Sequence, residues 1–165
     1  MAVEDKYIDS NVAAGKQPAS VAGSLGAEVR EFVVTFELAA ADDDGSVYRL
    51  FKNLSPDLIP VSIQVRCDAI TSGTSFDLGF YNTGVGGAVI NKNVLMSAQT
   101  LASALTTSPA DGLANVDIAN RAKRIYELCG HTQSTKKAGY DLCLTANTVG
   151  SAAGTVTIHA RFAQG

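Results

Sequence analysis

From residue 28 to the end of the chain, apolar and polar side chains repeatedly alternate with a period of two, the spacing of a half-buried β-strand. In residues 28–39 (EVREFVVTFELA), Arg30, Phe32, Val34, Phe36 and Leu38 share one face, and Glu31, Val33, Thr35 and Glu37 take the other. Residues 47–54 (VYRLFKNL) set Val47, Arg49 and Phe51 opposite Tyr48, Leu50 and Lys52. In residues 58–70 (LIPVSIQVRCDAI) the pattern turns Ile59, Val61, Ile63, Val65 and Cys67 inward and Ser62, Gln64, Arg66 and Asp68 outward. Pro60 lacks an N–H, which suits a strand start or an edge. Residues 75–82 (SFDLGFYN) place Phe76, Leu78 and Phe80 in the core and Asp77, Gly79 and Tyr81 outside. Near the end, Tyr140, Leu142 and Leu144 match Val156, Ile158 and Phe162 across a small-residue loop, the pattern of a long-looped hairpin.

Between Asn82 and Arg124 the pattern weakens. Leu95, Ala98, Leu101, Ala102 and Leu105 fit helical spacing and predict a short helix within 94–105; a second is expected within 117–129. A connection this long is unusual in a compact domain and is often functional. Residues 1–27, rich in Ala, Gly and Ser, hold no period and read as an extended arm. Six alternating runs predict a mainly all-β fold. The expected architecture is an antiparallel, jelly-roll-like β-sandwich over 28–165, with one or two short helices in the long connection.

Composition narrows the function. At 165 residues, one domain burying roughly 70% of its unfolded surface is expected. Charged residues make up 18%, below the roughly 25% typical of soluble domains, which leans towards a surface partly covered by partners. The net charge of −3 is scattered and offers no basic stripe for nucleic acid. No apolar run approaches the ~20 residues of a membrane span. The first ten residues carry acidic side chains where a signal peptide needs a basic start, so use without export is expected. Three widely spaced cysteines (Cys67, Cys129 and Cys143) read as thiols in a reducing compartment.

No catalytic signature emerges. Aligning Gly45 of the Asp42-Asp43-Asp44-Gly45 run with the invariant glycine of an EF-hand loop puts Ala40 and Phe51 at positions that need oxygen ligands. A solvated turn is the reading that fits. His131 and Cys129 lie close in sequence, yet a zinc site needs two more ligands, and a Cys–His nucleophile pair needs an orienting third group. The GVGG run lacks the Lys-Ser/Thr of a phosphate-binding loop. The chain is therefore expected to have no catalytic residues, metal or cofactor. The small basic patches at Arg121, Lys123 and Arg124, and at Lys136-Lys137, are solvated surface or a contact for an acidic partner.

The order of the segments SFDLGFYNTG, a long Ala/Ser/Thr-rich connection, NRAKRIYELCGHT, GYDLCLTANTV and AAGTVTIHARF resembles the jelly-roll head decoration, or cement, proteins of tailed bacteriophages. The similarity runs from about Val47 to Phe162. It implies a homo-dimer or homo-trimer that binds the outside of an icosahedral capsid and cements adjacent major capsid proteins. It also implies a virion protein assembled in the host cytoplasm, with no nucleic-acid or membrane partner. Contact residues expected on this reading are Tyr7, Ile8, Val12, Val21 and Leu25 in the arm, Tyr81 and Asn82 at the strand end, and Arg121, Lys123 and Arg124. A lectin-like sugar-binding sandwich is the alternative; the absence of Trp deprives it of the usual aromatic platform.

Overall fold

The structure is a computed structural model that describes residues 3, 5–7, 28–70, 74–150 and 152–165. Nine strands occur among them: β1 Asp5–Tyr7, β2 Val29–Leu38, β3 Val47–Leu54, β4 Leu58–Cys67, β5 Ser75–Asn82, β6 Val89–Thr100, β7 Ala110–Asp111, β8 Tyr140–Thr148 and β9 Gly154–Gln164. They form a five-stranded sheet in the order β1-β3-β8-β5-β6 and a four-stranded sheet in the order β2-β9-β4-β7. From β2 to β9 the chain passes between the sheets at every connection except β5 to β6, which are neighbours in one sheet, the double Greek-key winding of a jelly roll. Only β1 runs parallel to its neighbour, with Asp5 opposite Val47 and Tyr7 opposite Arg49.

The core lies where the inner faces meet. Phe32 reaches Phe51 at 5.3 Å between ring centroids, and Phe36 reaches Tyr48 at 5.6 Å, so the aromatics of β2 and β3 join the two sheets. Val34, Leu38, Ile63, Val65, Phe76, Leu78, Phe80, Leu142, Leu144, Val156, Ile158 and Phe162 complete this layer. Each such side chain contributes about 1.5–3 kcal/mol on burial.

Four expectations need correction, and in each case strand pairing is the reason. First, β8 and β9 are not a hairpin: β8 pairs with β3 and β5, and β9 with β2 and β4. Their matching apolar faces meet across the sandwich, which period-two alternation cannot distinguish from pairing within one sheet. Second, the β4 register slips by one residue between Pro60 and Ser62, so Leu58 and Pro60 are buried, Ile59 is half-buried and Val61 is 51% exposed. Third, a slip between Arg49 and Phe51 lets Tyr48 and Phe51 both reach the core. A bulge reverses the inside–outside phase of everything beyond it.

Fourth, residues 94–105 form no helix. They lie mostly in β6, where the β5 edge supplies hydrogen-bond partners and overrides an accidental helical spacing. The 117–129 segment holds only a 3₁₀ turn, Ile118–Asn120, and one helical turn, α1, Ile125–Leu128.

The β6 strand is irregular. Leu78 pairs with Met96 but Phe80 pairs with Asn91, which leaves β6 three residues longer than β5 over this stretch. The excess lies against the outer face of the sheet, where a Cβ on Gly79 would stand 2.1 Å from the Asn91 carbonyl oxygen. Lys92 then reaches Asp77 (3.2 Å) and Asn147 (2.8 Å). Gly79→Ala is therefore expected to destabilise the protein by about 1–3 kcal/mol or more through overpacking. Denaturant unfolding checks this, and an unchanged midpoint would show that β6 does not press on the sheet.

Candidate interaction surface

The strand and loop from Ser75 to Ile90 lead to the most constrained chemistry in the molecule. Period-two geometry turns Arg49 of β3, Tyr81 of β5 and Asp141 and Cys143 of β8 away from the core. A surface position for them would be unremarkable, yet Arg49, Asp141 and Cys143 are fully buried and Tyr81 is only 6% exposed. The loop that follows β5 folds back over them. Arg49 Nη1 lies 3.2 Å from Asp141 Oδ2 and donates to the Asn82 carbonyl at 3.0 Å, while Nη2 donates to the Gly87 carbonyl at 3.0 Å. Asp141 in turn accepts from the Gly84 N–H (3.1 Å) and the Asn53 N–H (2.8 Å).

One buried ion pair thus binds both limbs of the 83–88 loop. The loop closes on itself through Gly87 N–H to Gly84 O and Asn82 N–H to Ala88 O. Gly84 (φ 110°) and Gly86 (φ 74°) supply the left-handed conformations that this closure needs. The glycines serve the clamp, and the loop displays Val85, 61% exposed, at its tip.

The second constructed region is the connection from β7 to β8. Its start is anchored on β6: Asn115 donates its side-chain amide to the Asn93 carbonyl and its N–H to that of Leu95. Leu113 and Val116 are buried there. Arg121 donates to the Val116 carbonyl (3.0 Å) and pairs with Asp111 (3.3 Å), which fixes the 3₁₀ turn. At the start of α1 the Arg124 N–H donates to the Glu127 carboxylate at 2.8 Å, and the Arg124 guanidinium lies 3.8 Å from Asp57. Lys136 reaches the same carboxylate at 3.0 Å and stands over the Tyr126 ring. His131 Nδ1 lies 2.6 Å from the Tyr140 hydroxyl, whose pKa burial raises.

Of the expected contact residues, Ile8, Val12, Val21 and Leu25 lie outside the described residues, and for Tyr7 only its pairing in β1 is described. Tyr81 lies on the outer face beneath the loop, its hydroxyl 2.8 Å from that of Thr145 and its ring under the Arg49 guanidinium. Asn82 is half-buried and holds Arg49 through its carbonyl. Arg121 and Arg124 are half-buried and engaged, while Lys123 is exposed. Arg49 and Asp141 were missed. Their signal was a charge inside each of two apolar strands, VYRLF and YDLCL, which needs a partner if both faces are covered.

The remaining chemistry is structural. The Asp42–Asp44 run is a turn: the Asp42 N–H bonds to the Ala39 carbonyl, and buried Asp42 accepts the Tyr48 hydroxyl at 2.7 Å. The outer face of the four-stranded sheet is open and mixed, exposing Val29, Val33 and Val61 beside Glu31, which is bonded to His159 and Arg161. The His159 hydrogen bond holds the Glu31 carboxyl below the usual range. None of the three cysteines forms a disulfide, and burial pushes the Cys67 thiol up and Cys129 up to about 12. Among the described residues no three His, Cys, Asp or Glu side chains are placed to share a metal ion. No helix among them is long and apolar enough to cross a membrane.

Known proteins locate this architecture. No protein-family model and no curated protein sequence matches the chain. Solved structures do. A chain of the capsid of Ralstonia phage GP4 superposes with a TM-score of 0.60 and 17% identity, covering 97% of this chain and 99% of that one. A chain of the cyanophage Pam1 capsid asymmetric unit superposes with a TM-score of 0.50 and 16% identity, covering 92% and 96%. At such identities the likeness is one of fold: the same jelly-roll sandwich over essentially the full length of both chains.

Two outcomes follow from the buried groups. Arg49→Met leaves Asp141 buried without its cation and is expected to cost about 3–5 kcal/mol in urea unfolding; a loss below 1 kcal/mol would show that the pair is dispensable. With a pKa of about 12, Cys129 is a thiol at pH 8 in the folded protein. Mass spectrometry after iodoacetamide should find it unmodified natively and alkylated in denaturant, whereas rapid native alkylation would contradict its raised pKa.

Proposed function

We propose that this protein is a non-enzymatic structural component of a phage virion, a cement subunit on the outer surface of the capsid that joins adjacent major capsid proteins. The observation that carries this reading is the full-length likeness of the sandwich to chains of two phage capsids. The physical build supports it. A jelly roll holds loops at fixed spacing on a rigid frame, and here a buried ion pair ties down the 83–88 loop. A subunit that binds only the assembled lattice stabilises it by mass action. Self-association into dimers or trimers would let modest contacts act together through effective concentration.

Undecorated expanded shells provide the test. Purified protein should co-sediment with them saturably and raise their resistance to guanidinium, with little binding to isolated capsid subunits. Failure to bind expanded shells would overturn the reading, and glycan-array retention in its place would support a sugar-binding module.

A further inference from the structure

We infer that the β7–β8 connection is the surface that meets the partner, and that the partner presents an acidic protein surface with an apolar side chain. The inference rests on the virion reading above and assigns the orientation of the subunit within it. Residues 112–139 carry five cations (Arg121, Lys123, Arg124, Lys136 and Lys137) against two carboxylates, Asp117 and Glu127. Register places the β2–β3 turn and the β4–β5 and β8–β9 connections together at the far end of the sandwich, by Leu38–Gly154, Cys67–Val156 and Ser75–Thr148. Those segments contain Asp42, Asp43, Asp44 and Asp68 and no Lys or Arg.

Charge is thus separated across a molecule whose net charge is −3, and an acidic surface would be met connection-first. Part of the positive charge is already paired within the chain, through Arg121–Asp111, Arg124–Asp57 and Lys136–Asp57. Lys123 and Lys137 form no ion pair among the described residues and remain for a partner.

Shape agrees with charge. Ile118 is 92% exposed on the 3₁₀ turn. A single exposed aliphatic residue means little by itself. The same turn contributes Asn120 to a cleft of about 110 Å³ between β6 and the connection, walled by Val94, Val116 and Leu128, with Asn115, Lys123 and Glu127 also lining it. The turn beneath it is fixed by Arg121 and Asn115, so docking would require little ordering of the chain. With the Glu127 carboxylate already engaged by the Arg124 N–H, the exposed Ile118 and Lys123 beside the cleft fit an acidic surface bearing one apolar side chain.

The test uses the full chain and the same expanded shells. Ile118→Asp with Lys123→Glu should weaken shell binding at least tenfold and flatten its salt dependence. Both side chains are exposed, so melting temperature and gel-filtration volume should match the parent. Asp43→Lys, at the far end, should bind normally. If the parent protein fails to bind shells, the virion reading itself falls. Should the parent bind and the double variant bind equally well, or should Asp43→Lys be the variant that loses binding, the orientation is wrong. A double variant that keeps shell binding but changes oligomeric state would show that the connection meets a second copy, which also overturns the inference.

Discussion

A single buried ion pair, Arg49 with Asp141, sets how the outer face of the five-stranded sheet is used. Removing two charges from water costs several kcal/mol each, and only close geometry with further hydrogen bonds offsets that. Both conditions hold. The guanidinium also donates to the Asn82 and Gly87 carbonyls, and the carboxylate accepts from Gly84 and Asn53. A well-packed apolar pair would hold two strands together at least as well. It would not hold a loop, because only polar groups can satisfy the turned-out backbone of 83–88. The pair therefore trades stability for one fixed loop conformation.

That constraint separates the faces of the sandwich. The five-stranded sheet is covered on its outer side by the β5–β6 loop and the β6 bulge, which bury Asp77, Tyr81, Asp141 and Thr145. The four-stranded sheet is left wet, its polar rows of Glu31, Thr35, Thr157, His159 and Arg161 bonded to one another. The long connection, anchored on β6 and on Asp57, is left as the region that joins cationic charge, an exposed aliphatic residue and a cleft. The combination of cationic charge, exposed aliphatic side chain and cleft sets the connection apart from both sheet faces.

The fold was largely legible because period-two alternation survives wherever a strand keeps its register. The inward residues of β2 and β5 were read correctly from residues 30–38 and 76–80. Legibility failed at bulges. Nothing local announces the slip after Pro60, so Val61 was assigned to the core although it faces solvent. The same holds for β6, whose leucine and alanine spacing mimics a helix until β5 is present to pair with it. Tyr81 was rightly placed on the outer face, but alternation says nothing of whether that face is covered. The Arg49–Asp141 pair was legible only as two unexplained charges 92 residues apart. In the 75–91 stretch, the change from alternation to glycine marks the point where the chain leaves the sheet and turns back to cover it.

The central claim is that a rigid jelly roll decorates a shell and meets it through the β7–β8 connection. A cryo-EM reconstruction of expanded shells saturated with the protein addresses it most directly. The account predicts sandwich density on the outer surface, bridging neighbouring capsid subunits, with residues 112–139 against the shell and the Asp42–Asp44 turn pointing away. Density inside the shell, or none, or the acidic turn seated on the lattice, would contradict it.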